Sequence, residues 1–193
     1  MVTFLSSFVP KQHKPSTKEA ATMLTPEQKR ILKVIPHGPK ILMLDEVLTT
    51  NDGGGHAVGI RLITEKDCED HFGILPGFKM FEMVGQLGTY WLLTRTNKPK
   101  HSVMFQAIEK AEFLRLCVPG DRVRILVWAD EKVKNLAHGE ICRDGGREDG
   151  KPIITFSFAY TDPIPRDSLN RLIEVSKRRQ QPVRFVAPAA VTP

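Results

Sequence analysis

Apolar and polar positions alternate, then bunch, then alternate again along this chain. "TPEQKRILKVI", residues 25–35, spaces its apolar residues for a short helix. Thr25 can cap it, Gln28 follows three positions later, and Pro26 suits its first turn. "PHGPK" (36–40) breaks that helix, "ILMLDEVL" (41–48) reads as a strand, and "NDGGG" (51–55) is a turn. "HAVGIRLI" (56–63) alternates and predicts a second strand.

Next comes "EDHFGILPGFKMFEMVGQLGTYWLL", residues 69–93. Pro76 opens a predicted helix that runs to about Thr94, apolar around most of its circumference, as a buried helix must be. Its polar stripe is narrow: Lys79, Glu82, Gln86 and Thr89, at spacings of three and four. After Pro99 the pattern returns to strands. One long, bent strand is expected over 102–117, a tight turn at "VPGD" (118–121), then a meander over 122–133, 136–144 and 151–160. Two strands, one central helix and about four further antiparallel strands predict an α+β fold, an antiparallel sheet wrapped around one long buried helix. "DSLNRLIEVSKRRQQ" predicts an amphipathic helix capped by Asp167 or Ser168, and the last residues are extended and rich in Pro and Ala.

The organisation expected is an N-terminal extension (1–29), a folded domain (30–162) and a basic C-terminal extension (163–193). The net charge of +6 sits at the ends: residues 1–30 carry five Lys/Arg against two Glu, and 163–193 carry six against two acids. The middle is close to neutral, which argues against a nucleic-acid-binding face and for solvated tails able to attract an acidic partner. No apolar run approaches the roughly 20 residues of a membrane span. The first residues are short of acids but hold no arginine before Arg30, so a cytoplasmic setting is expected over organellar import. Three cysteines without a Cys-x-x-Cys pair predict free thiols, and six scattered histidines predict no metal site.

The candidate chemistry centres on Glu82. Burying an ionised carboxylate is costly unless it is paired, so a buried Glu82 favours its neutral, proton-donating form. His71, eleven residues earlier, can act as a base. Free N–H groups at the helix start near Gly77 can bind developing negative charge. Glu82 lies about 7 Å along the axis from Gly77, so a second chain could be needed to complete the site. Each piece also has a plain reading: Lys79, Glu82 and Gln86 as the wet edge of a core helix, and His71 as a satisfied loop histidine.

Three blocks carry a family resemblance. "ILKVIPHGPKILMLDEVL" resembles the "LPHR-PFLLVDRV" signature of 3-hydroxyacyl-acyl-carrier-protein dehydratases of the hot-dog fold. "HFGILPGFKMFEMVGQ" is similar to their "HFPGxPIMPGVLILEALAQ", and "FQAIEKAEFLRLCVPGDRVRI" to their "FAGIDKARFRRPVVPGDQL". The resemblance implies a homodimer, or a higher oligomer built on it, with active sites shared between chains. It implies that His71 takes the α-proton of a (3R)-3-hydroxyacyl thioester while Glu82 of the partner subunit protonates the departing hydroxyl. The Gly77 N–H would polarise the thioester carbonyl, and Gln86 would hold Glu82 or a water. It assigns His37 a structural part, implies no cofactor, and implies an acyl-carrier-protein or coenzyme A thioester as substrate, in fatty-acid or polyketide-like synthesis. The alternatives are an inactive hot-dog subunit of a larger assembly and a hot-dog thioesterase. One departure stands out: "HFGILPG" is three residues shorter than the family's loop, with Gly73 in place of its proline.

Overall fold

The computed structural model describes residues 24–48, 55–99, 101–145 and 150–179. The N-terminal arm, most of the triple-glycine turn, most of the "GGREDG" loop and the Pro/Ala-rich end lie outside the described residues. The first helix, α1 (Pro26–Val34), has the expected capping box: the Gln28 N–H donates to Thr25 Oγ1, and the Thr25 N–H donates to Gln28 Oε1, both at 3.1 Å. Ile31 faces inward and is fully buried.

Six strands form one antiparallel sheet in the order β1-β2-β5-β6-β7-β4: β1 (Glu46–Leu48), β2 (His56–Leu62), β4 (Phe105–Phe113), β5 (Arg122–Ala129), β6 (Leu136–Arg143) and β7 (Pro152–Tyr160). Two short strands, β3 (His101–Ser102) and β8 (Ile164–Pro165), pair separately. The central helix α2 (Gly77–Arg95) packs on β2, β5 and β6. Its Met83, Val84 and Leu87 are fully buried, as are the inward-facing Val123, Ile125, Val127 and Ile141 of β5 and β6. Each such side chain contributes about 1.5–3 kcal/mol on burial. Helix and sheet come very close at Gly139, where a Cβ would lie 2.6 Å from Val84 Cγ1. This is the sheet-around-a-helix, hot-dog arrangement that the sequence predicts.

Several boundaries differ. Pro76 is the residue before α2 rather than its first turn, and α3 (Arg166–Arg179) begins at Arg166, ahead of both expected caps. The strand expected over 41–48 is only Glu46–Leu48, because Pro39–Ile41 turns as a 3-10 helix. The long strand expected over 102–117 divides into β3 and β4. β4 pairs with β7 through register shifts after Phe105 and Ile108, and such bulges bend a strand. The meander strand expected to reach Val133 stops at Ala129, where Asp130 Oδ1 accepts the N–H groups of Lys132 and Val133 and turns the chain.

Candidate active site on the central helix

The stripe of polar residues on α2 is wet only in part. Gln86 and Thr89 are buried, Gln86 completely, and Glu82 is partly exposed. Gln86 uses its whole amide: Oε1 accepts the Met43 N–H at 2.9 Å, while Nε2 donates to Ile41 O and to Glu82 Oε1, each at 2.7 Å. The Met43 donor fixes which end of the amide is oxygen. The segment after the 3-10 turn is thereby stitched to α2, and Glu82 is held by the residue one turn further on.

A second group reaches the same oxygen. His37 Nε2 lies 3.3 Å from Glu82 Oε1. His37 Nδ1 is buried without a partner among the described residues. A neutral ring with its proton on Nε2 satisfies both observations, since a protonated Nδ1 would leave a buried donor unpaired. Burial pushes the His37 pKa down, Glu82 opposes this, and nearby Arg166 adds to it. Sequence reasoning gave His37 a structural part only. The signal was the His-Gly-Pro segment before the Gln86-bound residues Ile41 and Met43, but its contact with Glu82 spans 45 residues of chain.

Glu82 and His37 are among the residues lining a cavity of about 540 Å³, counting the part open to solvent. Trp91, Met104, Phe105, Phe158 and Tyr160 make its apolar walls, and Gly85 and Gly88 of α2 leave room along its floor. At Gly85 a Cβ would overlap the Phe105 ring, so glycine is what lets β4 lie this close to the helix.

His71 precedes α2 in a tight loop. Leu75 is buried and ties the loop down by donating its N–H to Cys117 O at 2.8 Å. Asp70, Phe72 and Gly73 all have left-handed φ, at 58°, 54° and 72°. For the two non-glycine residues this costs about 1–3 kcal/mol each. His71 Nδ1 lies 3.1 Å from Ile74 O. A carbonyl only accepts, so Nδ1 carries a proton, and in the neutral ring the lone pair is then on Nε2. His71 is exposed, and among the described residues no hydrogen bond or ion pair joins it to Glu82 of its own chain.

At the start of α2 the N–H groups of Gly77 and Phe78 have no backbone acceptor among the described residues. Phe113 of β4 lies directly over Gly77: a Cβ there would come within 2.8 Å of two ring carbons. Lys79 reaches back from the same turn to donate to Asp67 O at 2.8 Å. Asp67 in turn takes two hydrogen bonds from Arg61 Nη2 at 2.9 and 3.0 Å. Burial opposes ionisation of Asp67, but the Thr64 donors and Arg61 outweigh it, and its pKa is lowered. This network fixes the loop's base and the first turn of α2 together.

The structure therefore joins Glu82, Gln86 and His37 in one cluster, with Gly77 one and a half turns earlier on the same helix. His71 stands apart on the adjoining loop. Around these pieces the surface is apolar: Phe72 is 97% exposed and Phe78 69%, and β4 adds Phe105, Ile108 and Phe113.

Residues 35–155 match the family model described as a FabA-like domain. The chain belongs to the FabA-like family. Among curated members, a 3-hydroxyacyl-acyl-carrier-protein dehydratase FabZ from Herpetosiphon aurantiacus is 32% identical over 123 residues, covering 61% of this chain and 85% of that protein. One of the same name from Rhizobium leguminosarum bv. trifolii is 34% identical over 126 residues, covering 62% and 81%. Among solved structures, the dehydratase heterocomplex ApeI:P from Xenorhabdus doucetiae superposes with a TM-score of 0.58 at 17% identity, over 74% of this chain and 96% of that one. That likeness establishes the shared hot-dog fold. The family match spans His37, His71, Gly77, Glu82 and Gln86, and it ends before α3 begins.

Proposed function

We propose that this FabA-like chain is a 3-hydroxyacyl-thioester dehydratase, a hydro-lyase that works as a homodimer on acyl groups carried by an acyl carrier protein or coenzyme A in fatty-acid synthesis. The observation that carries the reading is the Glu82 carboxyl, held by Gln86 and His37 in the lining of an apolar cavity, on the helix whose first N–H groups are free.

His71 Nε2 removes a proton from the carbon next to the thioester carbonyl. Charge then builds on the carbonyl oxygen, where the Gly77 N–H donates to it, reinforced by the positive end of α2. Both donors at Glu82 converge on Oε1, so a proton delivered by this carboxyl leaves from Oε2. Glu82 of the partner subunit passes that proton to the 3-hydroxyl as its C–O bond breaks. Water leaves, and a trans-2-enoyl thioester remains. His71 ends with one proton more and Glu82 with one fewer, and exchange through solvent resets both. The reverse reaction, hydration, uses the same groups.

Sharing the site between two chains is supported by two features. His71 and Glu82 of one chain do not meet, and the aromatic residues around them lie bare. Large apolar side chains left exposed in such number are a mark of an interface. The edge strand β4 is exposed along most of its length and supplies some of them. A cytoplasmic setting fits three buried, free thiols. Among the described residues, no helix is long and apolar enough to cross a membrane.

The test is loss of the conjugated enoyl absorbance when the purified protein meets a crotonyl thioester. Turnover that disappears in His71→Ala supports the reading, and a folded dimer inert toward several acyl lengths contradicts it.

A further inference from the structure

The structure holds a second cavity of about 660 Å³, counting the part open to solvent, on the other side of His37. One wall is Pro36, His37, Val103 and Met104, with Ser102 beside them. The opposite wall is Leu169, Leu172 and Ile173 of α3. His37, Val103 and Met104 also line the catalytic cavity, so both spaces border the same three residues.

The base of α3 is fixed. Arg166 Nε donates to His101 O at 3.1 Å and its Nη2 to Val34 O at 2.7 Å. The β3–β8 pair places the helix start beside the same segment. Beyond this base, Leu172, Ile173 and Val175 remain 49%, 41% and 45% exposed, an apolar side with more surface than the chain itself covers. The helix lies outside the segment that matches the family.

We propose that α3 forms the far wall of an acyl chamber, which continues the catalytic cavity past His37 and takes the distal, apolar end of the substrate's acyl chain. This rests on the dehydratase reading and adds the element that sets acyl length. Among the described residues the lining holds no carboxylate, ammonium or guanidinium group. What such a space rewards is methylene burial, with about fourfold in affinity for each buried CH₂. Among the described side chains the amide-bearing arm of a carrier would find only Ser102 and His37 as polar partners there, and an extended macromolecular partner would not need a space that borders the same residues as the catalytic cavity.

The experiment is calorimetric binding of two saturated acyl-pantetheines, butanoyl and dodecanoyl, which lack the 3-hydroxyl and are not turned over. Full-length protein is compared with Leu172→Glu and Ile173→Glu. Both positions are partly exposed, so the charge is placed without unfolding the core. Wild type should bind dodecanoyl more tightly than butanoyl. Each variant should lose dodecanoyl affinity by at least about tenfold, because a carboxylate then lines the chamber. Butanoyl binding and crotonyl hydration should be unchanged. Unaltered dodecanoyl affinity in both variants overturns the proposal. So does an equal loss for both lengths, or a change in oligomeric state on sedimentation, which would make this side of α3 a protein interface. Failure of the dehydratase reading shows separately, as absent crotonyl hydration in wild type.

Discussion

Glu82 Oε1 is claimed by two donors, Gln86 Nε2 at 2.7 Å and His37 Nε2 at 3.3 Å, while neither is directed at Oε2. The carboxyl is thereby oriented from within its own chain, with one oxygen occupied and one presented. Glu82→Gln keeps the size and one acceptor but cannot deliver a proton. Turnover should fall by about 10²–10⁴, the range for losing a positioned acid. Thermal stability should change little, since the side chain is partly exposed. Full activity in this variant would refute the proton-donor role.

On the dehydratase reading, His37 serves the reaction through Glu82 rather than by touching the reacting atoms. His37→Ala should lower kcat with KM nearly unchanged, and His37→Asn, which can restore an N–H donor, should recover part of the loss. Steady-state kinetics on a crotonyl thioester separates the outcomes. A purely structural histidine would cost stability and show no such rescue.

Gln86 is fully buried with three hydrogen bonds, so its loss should be felt in folding first. Gln86→Leu leaves the buried Met43 N–H unpaired and should destabilise the protein by about 1–3 kcal/mol for that group, while the Ile41 C=O, on an exposed residue, can turn to water. Urea unfolding measures this. Turnover should fall as well, because Glu82 loses its nearer donor.

Gly77→Ala should misplace the start of α2 or the Phe113 ring, because the added methyl would sit 2.8 Å from two ring carbons. A displacement near 1 Å at an oxyanion donor costs about 10²-fold in rate. The expected result is a folded protein with strongly reduced kcat.

On the outer face of the sheet, the His138 ring bridges Asp130 Oδ2 and Ser157 Oγ, each at 2.9 Å. The hydrogen bond from His138, followed by the N–H groups of Lys132 and Val133, lowers the Asp130 pKa to about 2. An unfolded chain binds that proton more readily, so Asp130 contributes stability above the usual carboxylate range and loses it as pH falls toward 2. Urea midpoints followed from pH 5 downward should decline through this window. In His138→Ala the carboxyl resonance of Asp130 should titrate at higher pH, as NMR would detect.

Much of the fold was legible because periodicity carries it. The apolar bunching over 77–95 and the alternation in β2 and β5–β7 state which side faces inward, and Glu82 and Gln86 show their partnership by their spacing on one helix face. The division of the 102–117 strand was not legible, since bulges in β4 depend on its neighbour β7. The early end of β5 was missed because an Asp130 side-chain turn overrode an alternating pattern. The contact of His37 was not legible for another reason. Its contact with Glu82 exists only once the segment before β1 is pinned to the middle of α2 by Gln86, and no local pattern reports a meeting of residues so far apart. His71 was correctly located as a loop histidine beside the helix, but its separation from Glu82 in one chain is a property of the folded loop.

The most direct test of the central claim is subunit complementation. His71→Ala and Glu82→Gln chains, each inactive alone, would be co-expressed so that mixed dimers form, and crotonyl hydration measured. In a two-fold dimer with shared sites, each mixed dimer holds one site with both groups intact and one with neither. Random mixing should therefore restore about a quarter of wild-type activity. If mixed dimers form and activity stays at the level of the separate variants, His71 and Glu82 do not act across the interface, and the shared-site account is wrong.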